Sequence, residues 1–226
     1  MVLSIMALSI KEISKEGGFM AVKDHSLDDK IVKSAFEEFL KYGFQKASLH
    51  KIAQKAGITT GALYTRYKNK DELFCSLIKN MMAEVREKSK VMSERYYDVQ
   101  KSGDIKKILE VIREEEKIYL DLLFEYYDEC VLFFCRNTGS SIESMLNTMM
   151  DQKGKETVDF LKNILEVSED KIDLDGIAMI MTEQFHIYRM ILEKGYSKEK
   201  AISCLKTFEI YIDAGWKALF EKMSEQ

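Results

Sequence analysis

The chain has 226 residues, 46% of them apolar, which is enough to bury the core of one large or two small domains. Proline is absent and only 11 glycines occur, so few residues interrupt long helices. The 4 cysteines include no CxxC pair and the 3 histidines are scattered, which argues against a structural zinc site and a secreted disulfide framework. We therefore expect an all-α, cytoplasmic protein with reduced thiols, no metal and no cofactor.

The charge changes sign along the chain. Residues 21–80 carry 11 Lys and Arg against 7 Asp and Glu, whereas residues 81–226 carry 21 against 29. A basic segment joined to an acidic one is typical of a module that binds a polyanion followed by a module that does not.

The apolar N-terminus is predicted to be neither a signal peptide nor a membrane anchor. The stretch 2–10 has no basic residue before it, is too short to span a bilayer, and runs directly into Lys11 and Glu12. Met20, followed by Ala-Val-Lys, looks like a second natural translation start. We expect residues 1–20 to be an N-terminal extension, either disordered or the product of a mis-set start, and we expect no contact with a membrane.

The first predicted helix opens at Ser26, where Asp29 three residues later completes a capping-box-like pair. Apolar residues then recur at helical spacing until Gly43, which predicts a glycine stop.

A helix-turn-helix is predicted over residues 48–66. Its first helix starts at Ser48, and the small Ala53 lies where the two helices would cross closely. Gly57 can adopt the left-handed conformation that turns the chain. Three apolar side chains would hold the second helix against the first: Ile52, Ile58 and Leu63. The other side of the second helix is then free for the major groove of DNA.

The sequence continues as Leu63-Tyr64-Thr65-Arg66-Tyr67-Lys68-Asn69-Lys70-Asp71-Glu72-Leu73-Phe74, an aromatic pair, a basic residue and a strongly capped helix start. Over about residues 27–78 the chain resembles the tetracycline-repressor (TetR) family. The resemblance implies a three-helix, helix-turn-helix DNA-binding head at 21–78 and a helical effector-binding and dimerisation body at 79–226. It also implies a homodimer that binds double-stranded operator DNA and a small-molecule effector.

The resemblance further implies which residues contact DNA. Positions that touch phosphates correspond to Ser48, Tyr64, Tyr67 and Lys70, and positions that face the groove correspond to Thr60, Gly61, Thr65 and Arg66. Thr59, at the start of the second helix, completes the predicted set. Two departures from the family, which more often has a basic residue near Thr60 and a histidine at Arg66, leave the base preference unreadable. The alternative for Tyr64 and Tyr67 is that they only close the small core of the head.

Helical patterns continue to the end of the chain. The helix that Asn69 opens is predicted to run to about Tyr97, and an apolar run after Gly103 is predicted to reach about Cys135. Further helices are predicted at about 141–151, 155–166, 173–194 and 197–223. The last two carry apolar stripes wider than packing within one subunit requires, which favours a four-helix bundle between two subunits.

Aromatic and methionine side chains of the body are candidates for an effector cavity. The predicted ligand-binding residues are Tyr119, Phe124, Phe134, Arg136, Met145, Met149, Phe185 and His186. The alternative is that the apolar members form ordinary core. Arg136 would either neutralise an acidic ligand or stabilise the C-terminal dipole of its own helix.

The sequence thus predicts a ligand-responsive transcriptional regulator, a repressor that a small-molecule effector releases from a pseudo-palindromic operator. We expect no enzymatic activity, because neither His186 with Glu183 nor Cys135 with Arg136 assembles a nucleophile, a base and an orienting group. The alternative function is a helical protein-interaction module with a relic DNA-binding head.

Overall fold

The computed structural model describes residues 25–102, 105–151, 155 and 173–224. The predicted extension at 1–20 and residues 156–166 of one predicted helix lie outside these ranges. Every regular element in the described ranges is helical, and none is a strand, which confirms the predicted all-α fold. Within the same ranges, no helix combines the length and the apolar character that a membrane span needs.

Four helices form the N-terminal part: α1 (His25–Lys46), α2 (Leu49–Ala56), α3 (Thr60–Tyr64) and α4 (Lys70–Leu77). The first helix is already formed at His25, one residue before the predicted cap at Ser26. Its regular path stops at Gly43, as predicted, where φ is 70° and ψ is 169°. Fully buried side chains from all four helices make a small core: Ile31, Ala35, Phe39, Ile52, Leu63, Leu73 and Phe74.

The remaining helices are α5 (Lys79–Ser102), α6 (Ile105–Glu125), α7 (Tyr127–Cys135), α8 (141–151), α9 (Leu174–Glu193) and α10 (Lys198–Ser224). The described starts and ends of α9 and α10 agree with the prediction. Asp173 caps the start of α9, where its Oδ1 accepts the N–H of Gly176 at 3.0 Å. After the end of α9 the chain turns at Gly195, where φ is 61°.

The sequence predicted one continuous helix from Asn69 to about Tyr97 and another from after Gly103 to about Cys135. Both predictions of continuity are wrong, because each helix is broken at one residue. Ile78, 2% exposed, separates α4 from α5 with φ −96° and ψ 2°. Tyr126 separates α6 from α7, and its hydroxyl donates to Glu84 Oε2 at 2.7 Å. Neither break carries glycine or proline, so low helix propensity does not account for either of them.

The described chain divides into two compact units, one from His25 to Asn147 and one from Thr148 to Ser224. In the first unit, α1 packs against α2, α4 and α7, and α5 packs against α6. The helix α7 of the predicted body therefore contacts the first helix of the predicted head directly. The predicted functional division after residue 78 remains a prediction.

Candidate nucleic-acid interface and body cavity

The first helix of the motif, α2, is fixed at both ends by its own sequence. Ser48 Oγ accepts the N–H of Lys51 at 3.4 Å. Gly57 adopts the left-handed conformation with φ 75° and ψ 28°, and the N–H of Ile58 donates to the carbonyl of Ala53 at 2.9 Å. This pattern is a Schellman helix ending, which provides the tight turn before the next helix.

The short helix α3 is anchored on one side and exposed on the other. Thr59 Oγ1 caps it by accepting the N–H of Ala62 at 3.1 Å. Leu63 is 1% exposed and packs into the head, whereas Tyr64 is 52% exposed. The exposed side of α3 and its C-terminal end therefore present Gly61, Tyr64 and Thr65 to solvent, with Thr60 half-buried beside them.

Hydroxyl groups at this surface keep part of their hydrogen-bonding capacity. The oxygens of Ser48 and Thr59 accept backbone N–H groups, which leaves their hydroxyl protons to donate outward. Thr65 Oγ1 donates to the carbonyl of Gly61 at 2.9 Å and retains its lone pairs as acceptors. Hydroxyl donors such as those of Ser48 and Thr59 can hydrogen-bond to phosphate oxygens of DNA. A threonine such as Thr65 can contact a base edge in the major groove.

Arg66 is held by the head itself. Its Nε lies 3.1 Å from Asp28 Oδ1 on α1, and its Nη1 lies 3.5 Å from the carbonyl of Ala62. The ion pair is partly exposed, with 30% and 37% of the two side chains accessible. Arg66 thus lies beside α3, where the prediction requires it, but with a carboxylate as its partner.

Lys70 opens α4 next to the end of α1. Its Nζ donates to the carbonyl of Gln45 at 3.1 Å and lies 5.1 Å from the centre of the Phe44 ring. Burial lowers the pKa of Lys70, and the nearby Glu38 carboxylate offsets part of this effect. The capped start of α4 is as predicted, since Asn69 Oδ1 accepts the N–H of Glu72 at 2.8 Å.

The two predicted tyrosines differ in their surroundings. Tyr64 is exposed, whereas Tyr67 is half-buried. Burial raises the pKa of Tyr67 above its ordinary value, partly opposed by a hydrogen bond with Ser76 on α4. These contacts favour the core-closing alternative for Tyr67, and the exposure of Tyr64 favours its contact with DNA.

The predicted effector cavity is nearly closed. Tyr119 and Phe134 line a cavity of about 10 Å³, which has room for about one water molecule. Its other walls come from α5, α6 and α7: Met81, Val85, Leu122, Leu123 and Cys130. The Tyr119 hydroxyl is hydrogen-bonded to Ser89 Oγ at 2.7 Å, and burial raises the pKa of Tyr119. Because small-molecule sites usually enclose about 300–1,000 Å³, these helices must separate before an effector enters here.

The other predicted ligand residues do not line this described cavity. Phe124 packs on Tyr127, with ring centres 6.2 Å apart. Met145 is half-buried and Met149 buried on α8. The exposed His186 lies with its Nδ1 3.7 Å from Glu183 Oε1. The side chain of Phe185 lies outside the described residues.

Arg136 is directed towards the head. Its Nε donates to the carbonyl of Leu40 at 2.9 Å, and its own carbonyl accepts the N–H of Phe44 at 2.7 Å. The two contacts lie on either side of Gly43, where α1 loses its regular hydrogen bonds. This position favours a role in joining α7 to α1 over the predicted contact with an acidic ligand.

Sequence reasoning missed a second junction between head and body. Ser141 at the start of α8 donates its N–H to Asp71 Oδ1 at 2.8 Å and its hydroxyl to Asp71 Oδ2 at 2.7 Å. The two residues are 70 positions apart, so no local pattern reveals their contact. Among the residues that the structure describes, no cluster of three or more His, Cys, Asp or Glu could hold a metal ion.

Comparison with known proteins finds a sequence similarity in the N-terminal helices. Residues 31–77 match the family model described as bacterial regulatory proteins, tetR family. An uncharacterized HTH-type transcriptional regulator, YhgD of Bacillus subtilis (strain 168), is 30% identical over 66 residues, 28% of this chain and 35% of that protein. The fatty acid metabolism regulator protein of the same strain is 33% identical over 55 residues, 24% of this chain and 28% of that protein. The matched region thus spans about a third of each curated relative.

The fold extends the likeness beyond the head. The crystal structure of NalD, the secondary repressor of the MexAB-OprM multidrug efflux pump in Pseudomonas aeruginosa, superposes with a TM-score of 0.52. The alignment covers 80% of this chain and 93% of NalD at 16% identity, so it establishes similarity of fold alone.

Proposed function

Because the chain resembles the tetR family of bacterial regulatory proteins, we propose that it is a ligand-responsive, DNA-binding transcriptional regulator. In its specific form, the proposal is a homodimeric repressor that an effector releases from a pseudo-palindromic operator. The observation that carries it is the exposed helix α3, which is capped by Thr59, anchored by Leu63 and joined to α2 by a left-handed glycine.

The proposed interface divides into two kinds of contact. Ser48, Tyr64 and Lys70 hold the phosphate backbone, because their hydroxyl, phenol and ammonium groups fix register without reading sequence. Thr60, Gly61 and Thr65 face the major groove, where the absence of a side chain on Gly61 permits close approach of the backbone. Once its ion pair with Asp28 is broken, Arg66 can contact either a phosphate or a base edge.

The proposed dimer is supported by apolar side chains on the surface of the second compact unit. Met179 and Met190 on α9 are 69% and 47% exposed, and Ile210 and Tyr211 on α10 are 74% and 73% exposed. Covering such a surface with its two-fold copy would bury it. Two-fold symmetry then sets two copies of α3 one helical turn of DNA apart.

The proposed response to an effector follows from the junction at Arg136. An effector that enters the cavity beside Tyr119 must separate α5, α6 and α7, and α7 ends in hydrogen bonds to Leu40 and Phe44 of the head. Movement of α7 is therefore expected to move α1 and to change the spacing of the two α3 helices. Such coupling is typically worth about 1–3 kcal/mol. The match to the fatty acid metabolism regulator covers only 55 residues, 28% of that protein, so we assign no effector class from it.

The proposal is tested by selecting preferred duplexes from a random pool with the full chain. We expect a pseudo-palindromic site bound with steep salt dependence, and a lower log-log salt slope, by about one per subunit of the dimer, in Lys70→Ala. Lys194→Ala, which removes an exposed lysine after α9, is the control. If no duplex is preferred, the protein-interaction module becomes the better assignment, and a monomer in gel filtration at micromolar concentration would contradict the dimer.

A further inference from the structure

Two lysines that are not among the predicted DNA-contact residues share one tyrosine ring on the head. Lys41 Nζ lies 5.2 Å and Lys51 Nζ lies 5.3 Å from the centre of the Tyr42 ring. Lys41 and Tyr42 end the regular part of α1, and Lys51 lies in the first turn of α2. We call Lys41 and Lys51, which share the Tyr42 ring, the tyrosine-centred lysine pair.

The lysine pair is exposed, and no carboxylate of the described residues forms an ion pair with it. Tyr42 is 39% exposed, and both lysines are exposed. In the described ranges neither ammonium lies within ion-pair distance of a carboxylate, in contrast to Lys55, whose Nζ lies 3.4 Å from Glu37 Oε2. Glu38, one turn before Tyr42, is buried and accepts the N–H of Ser48 at 3.2 Å. This carboxylate is therefore already engaged inside the head.

Two ammonium groups beside one ring repel each other. Each cation–π contact at an exposed site offsets this repulsion by only about 0.5–1 kcal/mol. The arrangement keeps both ammonium groups on the same part of the surface, where no carboxylate within the described ranges lies at ion-pair distance from either. A ligand with more than one negative charge would gain from both, and the counterions that it displaces would add to the free energy of binding.

The pair adjoins residues already assigned to phosphate contact. Lys51 lies one helical turn after Ser48, whose hydroxyl caps the same helix. Tyr42 lies three residues before Gln45, whose carbonyl accepts the Lys70 ammonium. The pair, Ser48 and Lys70 therefore all border the short connection between α1 and α2.

From this placement we propose that Lys41 and Lys51 bind phosphates of the operator backbone and that Tyr42 positions them. The inference rests on the proposed function and extends its interface to the end of α1 and to one further residue of α2. Each ammonium contributes one phosphate contact, and neither reads a base. The ring acts through the lysines and so is a positioning group.

The test uses the full chain with glutamine substitutions that remove charge but retain length: Lys41→Gln, Lys51→Gln and the double variant. Affinity for the selected operator and for a scrambled duplex is measured by fluorescence anisotropy across a salt series. Each substitution is present in both subunits of the proposed dimer and so removes two phosphate contacts. Each single variant is therefore expected to lower the salt slope by about 1.8 and the double variant by about twice that amount. Affinity should fall about two- to fivefold per lysine, equally on both duplexes, as expected for an exposed ion pair with phosphate.

Lys55→Gln is the matched control on α2, because the charge of Lys55 is already offset by Glu37. Tyr42→Leu should weaken binding and Tyr42→Phe should not, since phenylalanine retains the ring. Thermal unfolding of each variant confirms that the fold is intact.

The inference is overturned if both lysine variants behave like Lys55→Gln while the wild type binds its operator with a steep slope. That result leaves the proposed function standing. A loss confined to the operator and absent from the scrambled duplex also overturns it, because that pattern indicates base reading. If the wild type prefers no duplex, the proposed function fails and this inference fails with it.

Discussion

Asp71 in α4 and Ser141 in α8 are joined by two hydrogen bonds, one to each carboxylate oxygen, at 2.8 and 2.7 Å. The pair connects the helix that follows the DNA-binding motif to the helix that follows α7. Together with the contacts of Arg136 on α1, it fixes the head to the body at two separate points within the first compact unit.

Replacing Asp71 with alanine is expected to lower the free energy of unfolding by about 1–2 kcal/mol, because hydrogen bonds to a charged acceptor are among the stronger ones. Urea denaturation provides the measurement. Asp175→Ala is the control, since Asp175 is also an acidic residue in the first turn of a helix, α9. Equal losses in the two variants would show that the helix dipole alone accounts for the effect, and that the contact with Ser141 contributes nothing.

Replacing Gly61 with alanine should change stability and DNA binding in opposite directions. An added Cβ would have only Thr59 Oγ1 near it, at 3.8 Å, and alanine favours a helix over glycine by about 1 kcal/mol. We therefore expect a higher melting temperature but weaker binding to the selected operator, because the methyl group would lie between α3 and the bases. Unchanged affinity would place Gly61 away from the groove.

Replacing Asp28 with asparagine should strengthen binding to DNA of any sequence. The change releases Arg66 from the 3.1 Å ion pair and removes a negative charge beside α3. We expect about two- to fivefold tighter binding to a scrambled duplex and a salt slope steeper by about one per subunit. Glu37→Gln, which breaks the ion pair with Lys55, is the matched control. If both variants bind alike, Arg66 does not reach phosphate.

Alkaline pH should destabilise the protein through Cys75. Burial raises the pKa of this thiol from 9.0 to about 11, so the folded chain retains a proton that the unfolded chain loses. The corresponding stability is fully present below about pH 9 and is lost as pH rises to about 11, by up to about 2 kcal/mol. Urea denaturation across this range should show the wild type losing stability relative to Cys75→Ser. Parallel curves would contradict the prediction.

The head was predictable because its signals are local. Ser48, Gly57 and Asn69 each act within four residues of their own position, through a cap, a left-handed turn and a helix start. Binary patterning then identified the buried side of each helix. The same local reasoning also identified Asp173 as the start of α9.

The body was less predictable because long-range contacts decide its details. The break at Tyr126 coincides with a hydrogen bond to Glu84, 42 positions earlier, and Arg136 bonds to Leu40, 96 positions earlier. Neither partner is recognisable from spacing. The predicted effector residues were chosen for their chemical type alone, and only Tyr119 and Phe134 among them share the described cavity.

The contacts of α1 with Arg136 also determine how the chain can be divided for experiment. A fragment that ends at Ile78 would retain every residue of the motif, but the N–H of Phe44 and the carboxylate of Asp71 would lose their partners in residues 136–141. Water would have to replace both partners, and the N–H of Phe44 lies where α1 is already interrupted by Gly43. Binding studies on an isolated head would therefore examine a loosened end of α1, and a fragment meant to preserve the interface should extend through Ser141.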